Sequence, residues 1–199
     1  NLDWKNNWDT NLGAGVNNEK YDNYFLRGGP RWQYPNDRYL YLFTGSDKSK
    51  KFSFRLGYSS VRSDENVFKK NRYVFRINYQ PFDSFSLSLE NELEQTKNKS
   101  QYVTTKDFGN SKRYILGNIT NDSWFTTLRL NYSLNPNFSV QFYGQPFISR
   151  GRYSNFNFVN NSVANSFNER VNVYDENQIS FGLDADGNEA FLVDENKDN

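Results

Sequence analysis

Three acidic residues at alternate positions, Glu90, Glu92 and Glu94, have the spacing that carboxylate chemistry requires. Alternate residues of a β-strand point to one face and lie about 7 Å apart. Paired carboxylates near this separation hydrolyse glycosidic bonds, and a barrel hydrolase using Glu90 and Glu92 is therefore one hypothesis. The alternative is a polar lining balanced by Arg72 and Arg76. We favour that alternative because acidic side chains in proteins are usually solvated or paired, and we assign no catalytic residue.

Other reaction and metal chemistries are limited by the composition. The chain has no His and no Cys, which excludes Ser-His-Asp triads, thiolate nucleophiles, disulfides and the usual zinc ligand sets. The segment from Asp184 to Glu189 has part of a calcium loop, but it lacks the third acidic position before Gly187 and the distal Glu of an EF-hand. We interpret Asp186-Gly187 as a hairpin turn and predict neither a metal nor a cofactor.

Aromatic residues in predicted loops are candidates for sugar binding. Trp32, Tyr34 and Phe156 lie outside the clear strand patterns, and exposed rings stack on sugars. The alternative is that these rings pack against the protein, as loop aromatics commonly do.

A hairpin over residues 121–147 is the element around which the other strands are arranged. From Trp124 to Leu134 the even positions are mostly apolar and the odd ones polar, and the alternation resumes from Phe138 to Phe142 after Asn135-Pro136-Asn137. Pro136 suits the second position of a type I turn. Matching the apolar faces predicts Ser133 opposite Ser139, which places Asn131 beside Gln141, Arg129 beside Tyr143 and Leu130 beside Phe142.

The same period of two recurs at Phe52 to Tyr58, Arg72 to Tyr79 and Phe85 to Glu94. A turn over residues 80–84 predicts Tyr79 opposite Phe85 and Arg72 across from Glu92. No segment of useful length has helical periodicity, and no run approaches the roughly 20 apolar residues of a membrane helix. We count eight to ten strands, antiparallel because their connections are short.

The predicted links alternate in length, as they do in membrane barrels with short turns at one end and long loops at the other. Links near residues 45–51, 80–84 and 135–137 are short, whereas those near 60–71, 95–112 and 148–170 are long. We therefore predict an all-β fold, an antiparallel up-and-down meander that forms an outer-membrane β-barrel or a large partial barrel. It is one domain over residues 1–199, or a fragment of one, with irregular or weak strands at 1–38, the main hairpins at 39–158, and an Asn-rich loop and terminal hairpin at 159–199.

In this interpretation the two faces of the sheet have different surroundings. The polar face lines the lumen, with Arg55, Arg72, Arg76, Glu90, Glu92, Arg129 and Gln141. The apolar face contacts lipid or forms aromatic girdles, with Phe54, Tyr58, Tyr79, Trp124, Tyr132 and Phe142. Alternation alone also fits a soluble extracellular β-sandwich that binds carbohydrate, whose apolar face is buried in protein.

The overall charge and the chain ends restrict partners and context. With 24 basic and 23 acidic residues the net charge is +1, so we predict no nucleic-acid partner. The sequence begins at Asn1 without an initiator Met, and its acidic end lacks the closing aromatic residue of many barrels. We expect a piece of a longer protein.

Several motifs resemble a known family. They are Leu26-Arg27-Gly28-Gly29-Pro30, the run from Leu128 to Tyr132, the run from Asn135 to Phe147, and Gly151-Arg152-Tyr153 with Phe156. The chain resembles a Bacteroidota outer-membrane β-barrel family, domain of unknown function family 5916, whose members join a module similar to family nine carbohydrate-binding domains to a large barrel. That module and the last strands of the family are absent here. The family has no established activity, and the resemblance carries over no catalytic residue.

The resemblance implies a portion of a barrel in the bacterial outer membrane, where the lipid bilayer is the first partner. We expect a non-enzymatic barrel that anchors, transports or secretes material at the cell surface, with other surface proteins and glycans as further partners. In the motifs, Gly28, Gly29 and Pro30 are expected in a tight turn, and Pro146 is expected to end or bulge a strand.

Overall fold

A computed structural model describes residues 1–18, 20–184 and 186–194. Within these residues the strands, numbered in chain order, are β1 Leu2–Asp3, β2 Asp9–Asn17, β3 Lys20–Asp22, β4 Trp32–Tyr34, β5 Asp37–Gly45, β6 Phe52–Ser63, β7 Phe68–Phe82, β8 Phe85–Phe108, β9 Ser111–Asn135, β10 Phe138–Gly144, β11 Phe147–Val159, β12 Val171–Val173, β13 Ile179–Leu183 and β14 Glu189–Val193. One α-helix, α1, is Phe167–Arg170, and 3₁₀ turns lie at Asp64–Asn66 and Glu176–Gln178. No helix in the described ranges is long and apolar enough to cross a membrane.

Ten strands form one sheet, and its order follows the chain closely. The order is β1-β2-β5-β6-β7-β8-β9-β11-β12, with β10 paired to β9 beside this path, while β13 with β14 and β3 with β4 form two small sheets. The prediction of an all-β antiparallel meander is confirmed. Within the described residues β1 and β12 end the sheet without closing it, which is compatible with a large partial barrel.

The chain divides into two compact units. The first unit comprises Asn1–Lys20, Pro35–Asn98 and Ile119–Arg152. The second unit comprises Tyr21–Tyr34, Lys99–Asn118 and Tyr153–Asn199. Each unit has its own pattern of burial, and the two patterns differ.

The first unit has two faces of opposite polarity. Register places Leu56 opposite Phe75 and Tyr58 opposite Tyr73 on one side of β6 and β7. We call this side the apolar face; on the described strands it carries Leu12, Leu40, Leu42, Phe52, Phe54, Leu56, Tyr58, Tyr73, Phe75, Ile77, Tyr79, Leu87, Leu89, Leu93, Trp124, Leu128, Leu130, Tyr132, Phe138, Val140 and Phe142. The other side, the charged face, carries Asp9, Arg55, Lys70, Arg72, Arg76, Glu90, Glu92 and Glu94.

The apolar face of the first unit is not buried. Phe52, Trp124 and Phe142 each expose 54% of their surface, whereas the buried apolar residues among the described part of this unit are Val67 and Val74. Val74 pairs with Glu92 and therefore lies on the charged face. The burial of this unit is thus the reverse of that in a water-soluble sheet with an apolar core.

The second unit buries its apolar residues in the ordinary way. Ile115, Phe156 and Tyr174 form a buried cluster, and Phe158 and Ile179 pack against it. Leu116, which follows Ile115 in the sequence, is fully buried, and Phe167 of α1 is also buried. This unit therefore has an aromatic core of its own.

The register predicted for the central hairpin is confirmed. Ser139 pairs with Ser133, Gln141 with Asn131, Phe142 with Leu130, and Tyr143 with Arg129. The side chain of Asn135 accepts the backbone N–H of Asn137 at 3.0 Å, which closes the turn around Pro136. Pro146 separates β10 from β11, as the sequence indicates.

The register predicted for the preceding hairpin is wrong by two residues. Tyr79 pairs with Leu87 rather than Phe85, and Arg72 is directly opposite Glu94 rather than Glu92. The cause is that β7 continues past Pro81 to Phe82, with an irregularity between Tyr79 and Phe82 and only Asp83-Ser84 left for the turn. Phe82 and Phe85 then meet with ring centroids 5.8 Å apart.

All three predicted long loops contain strands, and residues 148–159 of the third belong to β11. Residues 61–71 contain the end of β6, a short 3₁₀ turn and the start of β7, and residues 95–112 belong to β8 and β9 except for Gly109-Asn110. The predicted alternation of link lengths is therefore wrong at these three positions. Polar side chains on both faces hide the period of two, although the backbone pairing continues.

The number of strands in the described residues exceeds the predicted number, whereas the hairpin near the end of the chain agrees with its prediction. The described residues contain fourteen strands, of which ten form the large sheet that the predicted eight to ten strands approximate. The hairpin predicted at residues 179–193 is confirmed, since Ile179 pairs with Val193 and Leu183 with Glu189. Residues 195–199 of the predicted terminal segment lie outside the described residues.

Candidate functional site

Ion pairs between β7 and β8 form the centre of the charged face. Arg72 donates from Nε and Nη2 to the two oxygens of Glu92, each at 2.6 Å. Arg76 pairs with Glu90, and Lys70 Nζ lies 2.7 Å from Glu94. All six side chains occupy even positions on neighbouring strands, so the period of two places them on one side.

The ion pairs extend across the sheet to β2 through Arg55. Its Nη1 donates to Asp9 Oδ2 at 3.0 Å, and its guanidinium lies 5.8 Å from the centre of the Phe43 ring. Arg55 is directly opposite Arg76 in the register. Because each arginine has its own carboxylate partner, Asp9 or Glu90, the two like charges are balanced locally.

A polar cavity of about 620 Å³ adjoins the pair formed by Arg76 and Glu90. Across it, the guanidinium of Arg129 lies 5.2 Å from the centre of the Tyr143 ring, and the Tyr143 hydroxyl donates to Gln145 Oε1 at 2.6 Å. Asn131 also lines the cavity. The walls thus offer guanidinium, carboxylate, amide and hydroxyl groups, which suits water or a polar solute.

The predicted lumen-facing residues fall on the charged side, although not all at one place. Arg55, Arg72, Arg76, Glu90 and Glu92 form the ion-paired area, and Arg129 lies on the cavity wall. Gln141 of β10 is opposite Asn131 of β9 and is exposed. Whether this side faces a lumen stays a prediction.

The predicted lipid-facing residues share the apolar face. Their pairings place Phe54 opposite Ile77, Tyr58 opposite Tyr73, Tyr79 opposite Phe52 and Phe142 opposite Leu130. Trp124 donates from Nε1 to Asn91 at 3.3 Å. Tyr132 meets Phe85 at a centroid distance of 6.1 Å. Contact of this face with lipid also stays a prediction.

The rings considered for sugar stacking are not exposed loop rings, and the alternative, that they pack against the protein, is what the structure shows. Trp32 lies on β4 with 0% of its surface exposed, and Phe156 lies on β11 with 8% exposed. Tyr34 is half-buried, and burial, with the nearby charge of Asp22, raises its pKa to about 12. These rings pack inside the second unit, where Phe25 lies 5.1 Å from Trp32 and 5.4 Å from Tyr34.

The acidic segment near the end of the chain forms a turn, as favoured from the sequence. Asp184 Oδ1 accepts the backbone N–H of Asn188 at 2.8 Å and that of Asp186 at 3.0 Å. The Asn188 backbone hydrogen bond is the main cause that lowers the pKa of Asp184. Among the described residues no group of three acidic side chains is placed to hold a metal ion, and Ala185 lies outside them.

Sequence reasoning missed Asp9 and Lys70 as members of the charged face, and it placed Glu94 beside Glu90 and Glu92 without finding its partner, Lys70. A signal for Lys70 was present, because it is two residues before Arg72 and so shares its face. Asp9 gave no such signal, since its pairing with Arg55 depends on a contact 46 residues away in the sequence. Asn91, a polar residue on the apolar face, was also missed; Thr126 Oγ1 donates to it at 2.9 Å.

The chemistry of the charged face is that of neutralised charge. Glu90 and Glu92 are each held by an arginine, whereas a glycosidase acid must carry and release a proton. The arrangement therefore favours a polar lining over acid catalysis.

Fold and site together define a class: an antiparallel β-sheet protein with one ion-paired face and one exposed apolar face. The sequence profile of the family described as Domain of unknown function (DUF5916) matches residues 1–191, and the chain belongs to this family. No curated protein matches the chain, and no solved structure matches it.

Proposed function

We propose that this chain is part of a β-barrel in the bacterial outer membrane, with its apolar face toward lipid and its charged face toward the lumen. Its role is non-enzymatic: anchoring, transport or secretion at the cell surface, with glycans among the materials handled. The proposal includes the Bacteroidota origin that the family resemblance implies. The single observation that carries it is the exposure of the apolar face in a unit whose charged side chains are paired on the opposite face.

The exposed apolar area supports a lipid partner. Leu42, Leu56, Phe75 and Leu93 each expose more than 40% of their surface on four adjacent strands. Contiguous apolar patches of more than a few hundred Å² mark contact with protein or membrane. Removing apolar surface from water is favourable by about 25 cal/mol per Å². Exposure of a face of this extent to water is therefore strongly unfavourable.

The length of the apolar pattern also fits a membrane strand. On β9 the alternation runs from Trp124 to Leu134, which is about the 9 to 11 residues that a tilted strand needs to cross the hydrocarbon. On β6 and β7 aromatic residues end the pattern on both sides, Phe52 with Tyr79 and Tyr58 with Tyr73. Aromatic residues at both ends of an apolar band are typical of membrane barrels.

Tryptophan fluorescence with brominated lipids tests the proposal. The chain is folded in detergent, transferred to phosphatidylcholine bilayers, and compared with bilayers whose acyl chains carry bromine, a contact quencher. We expect quenching of the wild-type emission, and a smaller quenched fraction in Trp124→Phe. Trp32→Phe is the matched control, because Trp32 is fully buried and contributes unquenched emission.

A folded chain whose Trp124 emission is unaffected by brominated lipid contradicts the proposal. That outcome turns the apolar face toward protein and leaves the other hypothesis, a soluble extracellular β-sandwich that binds carbohydrate.

A further inference from the structure

Four basic side chains form a row across four adjacent strands on the same side as the apolar face. Arg38 of β5 pairs with Arg62 of β6, Arg62 pairs with Lys69 of β7, and Lys69 pairs with Lys97 of β8. We call these four residues the basic row. Each member is an even number of residues from an apolar-face residue of its own strand, so the alternation places it on that face.

The members of the basic row have few acidic partners. Arg38 Nη2 lies 3.0 Å from Asp64 Oδ1, and 73% of the Arg38 side chain is exposed. Arg62 donates to the carbonyl oxygen of Lys70 at 2.9 Å and to Asn71 Oδ1 at 2.7 Å, neither of which is an anion. Lys69 and Lys97 are exposed, and within the described part of the chain neither lies within 4.0 Å of a carboxylate. Within the described residues Arg62, Lys69 and Lys97 therefore have no carboxylate partner, and Asp64 is the acidic partner of Arg38 alone.

Like charges directly opposite each other on neighbouring strands are destabilising. Here each of three successive cross-strand pairs consists of two basic residues. On the charged face the neighbouring lysine, Lys70, is instead satisfied by Glu94 at 2.7 Å. Lys69 thus differs from its neighbour Lys70 in having no carboxylate partner among the described residues.

An apolar groove lies on the same face next to the basic row. It has a volume of about 490 Å³ and is lined by Leu42, Leu56, Tyr58, Phe75, Leu93 and Trp124. Tyr58 at its edge donates to Asn71 Oδ1 at 3.0 Å, the same oxygen that accepts from Arg62. The guanidinium of Arg62 thus lies where the apolar surface ends, and cation and groove meet through Asn71.

We propose that the basic row binds the phosphate groups of anionic lipids whose acyl chains lie in the apolar groove. This inference rests on the proposed function, since it requires the apolar face to lie in lipid. An anionic lipid satisfies both features at once: its phosphate pairs with Arg62, Lys69 and Lys97, and its chains cover Leu56, Phe75 and Leu93. Cationic residues at the surface of a bilayer attract anionic lipids in this way.

The test uses Trp124, which lines the groove, as the reporter. The chain is placed in bilayers of equal parts phosphatidylcholine and phosphatidylglycerol, with bromine on only one of the two lipids at a time. We expect the Trp124-dependent emission to be quenched more strongly when phosphatidylglycerol carries the bromine. The double variant Lys69→Gln/Lys97→Gln should lower this preference by about fivefold for each lysine replaced, while Lys69→Arg/Lys97→Arg retains it.

A matched control separates position from net charge. Lys106→Gln/Lys112→Gln removes two exposed lysines of β8 and β9 that lie outside the basic row, and it should leave the preference unchanged. Loss of the preference in this control as well would overturn the inference, because the effect would then follow net charge.

Three further results would contradict the lipid site or the proposed function. Equal quenching by both brominated lipids refutes the basic row as a lipid site and leaves the membrane proposal intact. Absence of quenching by either lipid, in folded protein, refutes the proposed function itself. Loss of the preference on adding inorganic phosphate, compared with chloride at equal ionic strength, would make the row a site for a free anion and overturn its assignment to lipid.

Discussion

The pairing of Arg72 shows that side-chain reach, as well as register, determines the ion pairs of the charged face. Glu94 is directly opposite Arg72, yet the guanidinium makes its two short hydrogen bonds with Glu92, the diagonal neighbour. Glu94 is already held by Lys70. Planar, bidentate contact with one carboxylate is the geometry that arginine favours, and it fixes which of two available acids is used.

Double-mutant cycles should detect this choice. We expect Arg72→Gln and Glu92→Gln to be coupled by about 1 kcal/mol in the free energy of unfolding, because each single change leaves a partly buried charge without its partner. Arg72→Gln and Glu94→Gln should be coupled by clearly less. Urea unfolding of wild type, the three single variants and the two double variants measures both energies, and equal coupling in the two cycles would contradict the diagonal pair.

Because Trp32 is buried, we expect it to contribute to the stability of the fold rather than to sugar binding. Trp32→Ala should lower the free energy of unfolding by about 3–5 kcal/mol, because it leaves a large cavity beside Phe25. Tyr24→Ala in the same unit is the control, since Tyr24 is 87% exposed and the change should stay within about 0.5 kcal/mol. Denaturation of both variants tests this, and a small effect at Trp32 would contradict its place in the core.

At the scale of elements, aromatic rings cover glycines on neighbouring strands of the first unit. Phe43 of β5 is opposite Gly57 of β6, and a Cβ built at Gly57 would overlap the Phe43 ring. Gly13 and Gly15 of β2 are covered in the same way by Tyr41 and Tyr39. The glycines therefore allow large rings to lie flat against the sheet.

We expect Gly57→Ala to destabilise the chain by about 1–3 kcal/mol, because the Phe43 ring must move. In a Phe43→Ala background the same substitution should be neutral or stabilising, since alanine restricts the unfolded chain more than glycine does. Gly151→Ala is the control, as the nearest atom to its Cβ would be at 3.5 Å, an ordinary contact. Thermal unfolding of the variants distinguishes overlap from a general intolerance of alanine.

The turn between β5 and β6 should give stability that depends on pH. The hydroxyl and then the backbone N–H of Ser49, followed by Asn7, donate to Asp47 and lower the pKa of its carboxyl. Since the folded pKa is below the ordinary Asp value of about 3.9, the stabilisation is present above that value and is lost as pH falls through the folded pKa.

The expected result is that Asp47→Asn unfolds more easily than wild type at neutral pH, and that the difference shrinks as the solution is acidified below the ordinary Asp pKa. Urea midpoints of both proteins over a pH series measure it. A difference that stays constant over the acidic range would show that the ionised form of Asp47 is not what the turn requires.

At the scale of the whole molecule, strands with one apolar face were predictable from the sequence. The hairpin of β9 and β10 was obtained with its register because two apolar faces had to coincide around a recognisable turn, Asn135-Pro136-Asn137. The predicted faces of Arg72, Glu92 and Trp124 followed from the period of two alone. For the site, alternation therefore placed Arg72, Glu90 and Glu92 on one face. The pair of Arg72 with Glu92 was predicted from a register that is wrong by two residues, and it forms as a diagonal contact instead.

Three features were beyond single-sequence reasoning. The last part of β8 and the first residues of β9 have no apolar period, and their strand structure comes from backbone pairing that polar residues permit equally well. The irregularity near Pro81 shifted a register by two residues, because a turn was assumed where the strand continues. The burial of Trp32 depends on packing within the second unit that its polar sequence neighbours do not indicate.

Substitutions at two neighbouring residues on opposite faces test whether the apolar face of the first unit contacts lipid, water or protein. Phe142 and Gln141 follow each other on β10, and both are exposed. In lipid bilayers, Phe142→Arg should cost about 2–4 kcal/mol or reduce insertion accordingly, because arginine on a lipid-facing position near the middle of the membrane is unfavourable to that extent. Gln141→Arg should have almost no effect, since a charge on the opposite face meets the polar side of the sheet. Folding yield in lipid vesicles measures both variants. If the apolar face lies in water, Phe142→Arg will be neutral and improve solubility, and if protein covers that face, the same cost will appear in buffer without lipid.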